Sequence, residues 1–451
     1  MAIRTQTGST PTNATQTPAI CTGCGCLCDD VTVSTGRGRL TADTHGCGKG
    51  KSWLEQSYSP GPSILVDGRP ASLEKAIAIA ADLLCQSSNP LVYGLEKITC
   101  ESAAKAVAIA DWLGANLDTT ASFNQGPTGL AFQGVGEIAC SLGEVRNRAD
   151  LILFWGADPV ATHPRHTSRF SVDPPGVHVP LGRKGRFVVV IDSEANETAH
   201  LADLWLRPKA GRDFELLWAL RSLIQSQELG GYDAAANGVS QEDLEGLAKR
   251  LKGCRFGALF FGDRLLAGPG HHLNADGAVS LAHDINAHTR FYARPLRRAG
   301  NPTGSESVTC WQTGYPFGLS MARGFPRFNP GEFTARRLLS SGETDALLTI
   351  GASLADHLKP AEANALAAIP RIQIGCGQTS DSFTAPKVEI RTAPFATSVS
   401  GTVYRMDDIS LPLKPLTRPA SPDMEEVLSA LESTILHRIR ATTAQIGKGA
   451  H

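Results

Sequence analysis

Short continuous apolar runs alternate with Ala-rich, helically periodic stretches along most of the chain. Pro90-Leu-Val-Tyr-Gly94, Leu151-Ile-Leu-Phe-Trp155, Phe187-Val-Val-Val-Ile191, Gly257-Ala-Leu-Phe-Phe261, Thr289-Arg-Phe-Tyr292, Ala346-Leu-Leu-Thr-Ile350 and Pro370-Arg-Ile-Gln-Ile374 read as strands buried on both faces. Leu73–Leu84, Cys100–Leu113 and Phe214–Ile224 read as helices, the second ending at Gly114 as its C′ residue. This alternation predicts an α/β fold of mainly parallel, doubly wound sheets. Several strands run out into small or polar residues: Gly94, Gly156-Ala-Asp158, Asp192-Ser193 and Gly351-Ala-Ser353. Open α/β sheets bind ligands there. Strand–helix turns use Gly and Asp without any ligand too, so these turns alone assign nothing.

The first 60 residues follow another pattern. Val31-Thr-Val33 and Leu40-Thr-Ala42 predict a small hairpin around Ser34–Arg39. Before it stand Cys21, Cys24 and Cys28, spaced C-x2-C-x3-C, and after it Cys47 in His45-Gly-Cys-Gly48. Four soft thiolates favour an iron–sulfur cluster or zinc. A disulfide knot suits small secreted domains, not a chain of this size; a vacant remnant of a metal site is the remaining reading. The chain then divides into a mobile tail (1–18), a cysteine module (19–60), α/β domains (61–415), and a C-terminal helix and tail (416–451), the helix running from Met424 to Arg440. Ser59-Pro-Gly-Pro-Ser63 marks the first main boundary.

Composition narrows the function classes. The 451 residues carry a formal net charge of −1, with no basic excess for a phosphate backbone, so nucleic acid is not an expected partner. No apolar run reaches the ~20 residues that cross a bilayer, and the N-terminus has no apolar core of a secretory signal. Five of the 11 cysteines lie in the first 47 residues; the others are scattered and read as reduced thiols, which points to the cytoplasm. His163, Arg165, His166 and Arg169 share one loop, read as fixing the fold or meeting a partner subunit before binding an anion. His271-His272 and His283/His288 lack the Glu of an H-E-x-x-H site. Cys100, at a helix start, reads as an inert buried thiol, and no G-x-S-x-G elbow occurs.

Beyond these patterns the chain resembles a known family, from about Cys21 to about Leu413. The stretches that carry the resemblance are Cys21-Thr-Gly-Cys-Gly-Cys-Leu-Cys-Asp-Asp30, Val92-Tyr-Gly-Leu95, Thr99-Cys-Glu101, Asp118-Thr-Thr-Ala-Ser122, Gly126-Pro127, Trp155-Gly-Ala-Asp-Pro159, His163-Pro-Arg-His-Thr-Ser-Arg169, Thr309-Cys-Trp-Gln-Thr-Gly-Tyr-Pro316, Arg323-Gly324, Asn329-Pro-Gly-Glu332 and Gly401-Thr-Val-Tyr-Arg-Met406. They resemble the B subunit of formylmethanofuran dehydrogenase, in the molybdopterin oxidoreductase superfamily. The resemblance implies a formate dehydrogenase/DMSO reductase-like fold. It also implies a [4Fe–4S] site at Cys21, Cys24, Cys28 and Cys47, leaving Cys26 spare. No barrel-length β segment follows Met406, so the superfamily's C-terminal barrel cap is expected to be missing from this chain.

One departure bears on function. Redox-active members have Val-Cys-His-Gly-Pro where this chain has Phe123-Asn-Gln-Gly-Pro127. In the family that Cys ligates tungsten or molybdenum and the His serves the chemistry; here they are Asn124 and Gln125. A carboxamide is not a soft anionic ligand, and Gln does not titrate near neutrality. In Pro295-Leu-Arg-Arg-Ala-Gly-Asn301, Arg297 matches the family's Arg while Ala299 stands where a His is found. The pattern resembles the B subunit of the bacterial formyltransferase/hydrolase complex. That resemblance implies a catalytically silent structural subunit, with A, C and D subunits as partners. Together they take formyl-tetrahydromethanopterin via formyl-methofuran to formate. The cofactor expectation is a [4Fe–4S] cluster or a vacant remnant site, and no tungsten or molybdenum pterin. The competing readings are an active pterin-dependent dehydrogenase subunit and an iron–sulfur electron-transfer module.

Overall fold

The computed structural model describes residues 16–36, 39–56, 63–267, 270–353, 366–376 and 385–449. At the N-terminus β1 (Gln16–Cys21), β2 (Cys28–Gly36) and β3 (Arg39–Thr44) form an antiparallel sheet. The expected tail therefore stops short of Pro18: Gln16 already pairs with Ser34 and Pro18 with Thr32. Residues 1–15, and the boundary residues 57–62, lie outside the described residues.

The strands predicted from the apolar runs all form, and they divide between two sheets. The larger takes β4 (Ile64–Val66), β5 (Arg69–Pro70), β6 (Pro90–Gly94) and β7 (Asn116–Thr119) from before the smaller sheet. That smaller sheet is β8 (Leu151–Trp155), β9 (Phe187–Ile191), β10 (Leu204–Leu206), β11 (Phe256–Phe261) and β12 (Arg290–Pro295). The larger sheet is then completed by β13 (Leu319–Ser320), β14 (Arg327–Phe328), β15 (Ala346–Ile350), β16 (Arg371–Gly375) and β17 (Val388–Arg391). The smaller sheet has order β10-β9-β8-β11-β12 and is parallel throughout. The larger has order β14-β13-β7-β6-β15-β16-β17-β4-β5, parallel from β7 to β17 with antiparallel edges. Each sheet reverses its direction of growth once, between β8 and β11 and between β6 and β15. Crevices open at such switch points.

Local chemistry explains the element ends. Among the first helices, α1 (Gly48–Gln56) follows Cys47, and Ser72 caps α2 (Leu73–Gln86) by accepting from Lys75 N–H. Thr99 caps α3 (Cys100–Leu113), which stops at Gly114 in the left-handed region at φ 60°. The C-terminal helix runs Met424–Gly449, past the predicted Arg440, and is not a separate appendage. Val427, Leu428, Leu431 and Ile435 recur at three- and four-residue spacing, and all are fully buried in the core that α2 and α3 share with the larger sheet. A final hairpin, β18 (Gly401–Tyr404) and β19 (Ser410–Leu413), packs Val403 and Leu413 against Leu27 of the cysteine module.

Candidate functional site

The pairing of Cys21 with Cys28 brings the ends of β1 and β2 together, so residues 22–27 form a tight loop carrying Cys24 and Cys26. Leu27 closes that loop at φ 33°, its N–H donating to Cys24 O at 3.2 Å. Cys47 stands on the turn into α1, where Gly50 N–H donates to its Sγ at 3.3 Å. Glycine at position 50 is required by closeness: a Cβ there would stand 2.9 Å from Cys21 Sγ. The result is a cavity lined by Cys21, Cys24, Cys28 and Cys47, with Val31 and Leu54 adding apolar surface and Lys49 and Arg165 adding positive charge. Cys26 is fully buried and does not line it. The four thiols singled out by spacing thus share one space, while among the described residues no three His, Cys, Asp or Glu are grouped to hold a single metal ion.

The thiols differ electrostatically. Burial pushes Cys21 up to about 12 and raises Cys28 as well. Cys24 is lowered to about 7, first because the Cys26 thiol donates to it, with Lys49 and Arg165 adding to the effect. Four thiols that would lose their protons on binding, with apolar surface and cations beside them, are a donor set that fits an iron–sulfur cluster.

The His163–Arg169 segment, expected as a loop, turns into a short π-helix at His166–Ser171, and it locks this module onto the smaller sheet. Arg165 donates through both terminal nitrogens to Asp30 at 2.5 Å each, and Arg169 donates to Asp29 at 2.6 Å. Asp29 and Asp30 directly follow Cys28, a signal visible in the sequence whose partners were not. Lys49 Nζ donates to Thr162 O at 2.9 Å. His163 and His166 are buried and held neutral, lowered to about 4 and about 3 chiefly by desolvation. His163 Nε2 lies 2.7 Å from Arg297 O, which also accepts Gly25 N–H at 3.0 Å. Cys100 is pushed up to about 11 by burial, as an inert thiol should be. His271, His272, His283 and His288 are exposed.

A second cavity of about 450 Å³ lies over the carboxyl ends of β8, β11 and β12, between Lys49, Asp158, His163, Arg264, Arg298 and Ala299. Next to it, Gln125 is buried and committed: its Oε1 accepts from Thr128 Oγ1 at 3.0 Å and its Nε2 donates to Leu296 O at 3.4 Å. Arg297 is likewise committed, forking onto Glu306 at 2.8 and 2.9 Å. Glu306 was not singled out in the sequence; it lies nine residues on, in ordinary helical sequence. The residues at 124 and 125 do not fit a tungsten or molybdenum ligand set, because neither offers a thiolate or an imidazole.

Two largely parallel sheets, each with one switch point, and an N-terminal cysteine module define a molybdopterin-oxidoreductase-like fold. Solved structures agree at this level. A chain of the formyltransferase/hydrolase complex FhcABCD from Methylorubrum extorquens, crystallised with methylofuran, superposes with a TM-score of 0.69 at 22% identity, covering 83% of this chain and 99% of that one. Acetylene hydratase from Pelobacter acetylenicus gives 0.68 at 11% identity, covering 93% and 69%. In sequence, the chain is 36% identical over 417 residues to the B subunit of tungsten-containing formylmethanofuran dehydrogenase 2 of Methanocaldococcus jannaschii, covering 90% of this chain and 95% of that one. It is 27% identical over 287 residues to the B subunit of the Methylorubrum extorquens formyltransferase/hydrolase complex, covering 63% and 73%. No protein-family model matches the chain. The chain belongs to the B-subunit family of formylmethanofuran dehydrogenase.

Proposed function

We propose that this chain is a catalytically silent, dehydrogenase-like subunit of a formyltransferase/hydrolase complex. Its partners are A, C and D subunits that together convert formyl-tetrahydromethanopterin through formyl-methofuran to formate. The observation that carries the reading is the Asn124-Gln125 pair. With Gln125 buried and its amide bonded at both ends to Thr128 and Leu296, this position supplies neither a soft ligand nor a titrating base. Cys21, Cys24, Cys28 and Cys47 are proposed as ligands of a [4Fe–4S] cluster that staples the N-terminal module, which has little core of its own. What supports this is that all four thiols line one cavity with apolar surface and two cations beside them. The chain would hold its partners through obligate interfaces of more than ~2,000 Å².

A second reading, an active pterin-dependent dehydrogenase subunit, draws on the cavity over the β8 and β11 strand ends and on the 36% identity to a tungsten-containing relative. Metal analysis of the purified complex separates the two. The expected result is iron without stoichiometric tungsten or molybdenum, together with formyl transfer and formate release. Stoichiometric tungsten or molybdenum with bound pterin overturns the silent-subunit reading, and absence of iron would make the cysteine site a remnant.

A further inference from the structure

The smaller-sheet domain carries a shallow concavity of about 490 Å³ that shares no lining residue with either cavity described above. Arg146, Asn147, Arg169, Phe170, Val177 and Arg405 supply its character, and among the described residues no acidic side chain lines it. The Phe170 ring has the Arg169 guanidinium 4.8 Å and the Arg405 guanidinium 5.5 Å from its centre. Arg169 and Arg405 are already engaged, by Asp29 and by Asp407. Arg146 is exposed, and among the described residues its guanidinium has no ion-pair partner. It leaves the concavity with an uncompensated positive charge.

The rim is apolar and braced. Pro175, Val177 and Pro180 line the concavity; Val177 is 77% exposed, and Leu181, next in the chain after Pro180, is 71% exposed, the two most exposed large hydrophobic side chains among the described residues. They sit on the loop between the His163–Arg169 segment and β9. That loop is pinned by Arg186, a buried guanidinium that donates to four carbonyls: Ala149, Val172, Pro174 and Arg146, at 2.5 to 3.1 Å. His178 N–H and Val177 N–H are held by Asn147 O and Asn147 Oδ1. Gly176 packs so tightly that a Cβ would lie 2.1 Å from Arg146 O. Two large apolar side chains are thus held out in water by a clamp of at least six hydrogen bonds, beside an unpaired arginine. Pre-organised apolar anchors next to Arg are what partner-binding surfaces present, since little ordering remains to be done on association.

We infer that this concavity docks an acidic segment of a neighbouring subunit. A partner carboxylate would meet Arg146, and an adjacent apolar side chain would cover Val177 and Leu181. The choice of a protein segment over a small anion follows from the shallow, open shape and the apolar rim; the choice of an acidic segment follows from charge complementarity. The inference rests on the reading of the chain as a subunit of a complex. Its place gives it a consequence. Arg169 links the concavity to Asp29 and Asp30, the residues directly after Cys28, so a docked partner would brace the cysteine module.

The test uses the native complex with a photo-crosslinking residue at position 177, and separately the Arg146→Glu, Arg146→Lys and Val177→Asp variants. The expected crosslink joins position 177 to an acidic peptide of another subunit. Arg146→Glu and Val177→Asp should each weaken retention of that subunit at least tenfold, while Arg146→Lys retains it. The variant chains should still enter the complex with the remaining subunits at the parent's level, since neither side chain is buried. Wild-type-like assembly of both variants, or a crosslink only to a second copy of this chain, overturns the inference. If the parent itself purifies as a folded chain with no partner subunit, the proposed function fails instead, and the two failures are distinguishable.

Discussion

Removing the negative member of the Arg297–Glu306 pair, as in Glu306→Gln, should be among the most damaging single changes in the neighbourhood of Gln125. Both side chains are largely buried, and the carboxylate receives the guanidinium in a two-pronged fork at 2.8 and 2.9 Å. The substituted carboxamide would offer one acceptor and turn an NH₂ toward the other prong, leaving a buried cation uncompensated. Breaking a buried pair in this one-sided way costs about 3–5 kcal/mol. The unfolding entropy of a chain of 451 residues, at ~2.1 cal/mol/K per residue, is ~0.95 kcal/mol/K, so the loss corresponds to a fall in Tm of ~3–5 °C. The Arg297 carbonyl anchors Gly25 and His163, so loosening of the 297–306 segment should also loosen the cysteine module. The assay is calorimetric melting of the parent, Glu306→Gln, Arg297→Met and the double variant Arg297→Met/Glu306→Leu. The double variant should recover most of the loss, because an apolar pair of similar volume carries no desolvation penalty. A Glu306→Gln variant that melts within about 1 °C of the parent, well below the expected fall of ~3–5 °C, would falsify the reasoning, as would a double variant no better than the worse single.

Groups around the same junction make the protein sensitive to acid and to loss of a thiol. Burial lowers His163 to about 4 and His166 to about 3 from 6.5; a lowered folded pKa means the unfolded chain takes the proton first. Stability is therefore full above pH 6.5 and lost as pH falls from 6.5 toward 4, by roughly 2–3 kcal/mol per histidine near pH 4.5. A His166→Leu variant should lose about half of this dependence, and an equal acid slope in parent and variant refutes the assignment. Changing Cys24 to Ser should lower the yield and melting temperature of the complex more than its formyl-transfer rate per assembled complex; normal yield and melting with activity lost would assign the site to chemistry or electron flow instead.

Much of this protein was legible along the chain because the signals are local. A mostly β-branched, wholly apolar run such as Phe187–Ile191 is best satisfied as a strand covered on both faces, and Val188–Ile191 are fully buried, with Phe187 at the strand's start partly exposed. Thr99 and Gly114 delimit α3 through capping chemistry that acts within four residues. The C-x2-C-x3-C spacing puts Cys21, Cys24 and Cys28 on a single tight loop, and the antiparallel return of β3 along β2 brings Cys47 back to it, so that all four line one cavity. Tertiary structure decided what depends on distant pairing. The partition into two sheets follows from β13–β17 returning to join β6 and β7 after the whole of β8–β12 has intervened, a choice no local pattern encodes. The pairing of Asp29 and Asp30 with Arg169 and Arg165, 135 to 140 residues away, was invisible because charge in sequence carries no address. Arg186 and Glu306 carry no distinguishing local signal in the sequence, and only packing around them makes one the clamp of an exposed loop and the other half of a buried pair. Burial depends on what the whole chain brings to a residue, and desolvation then fixes which polar groups must find partners.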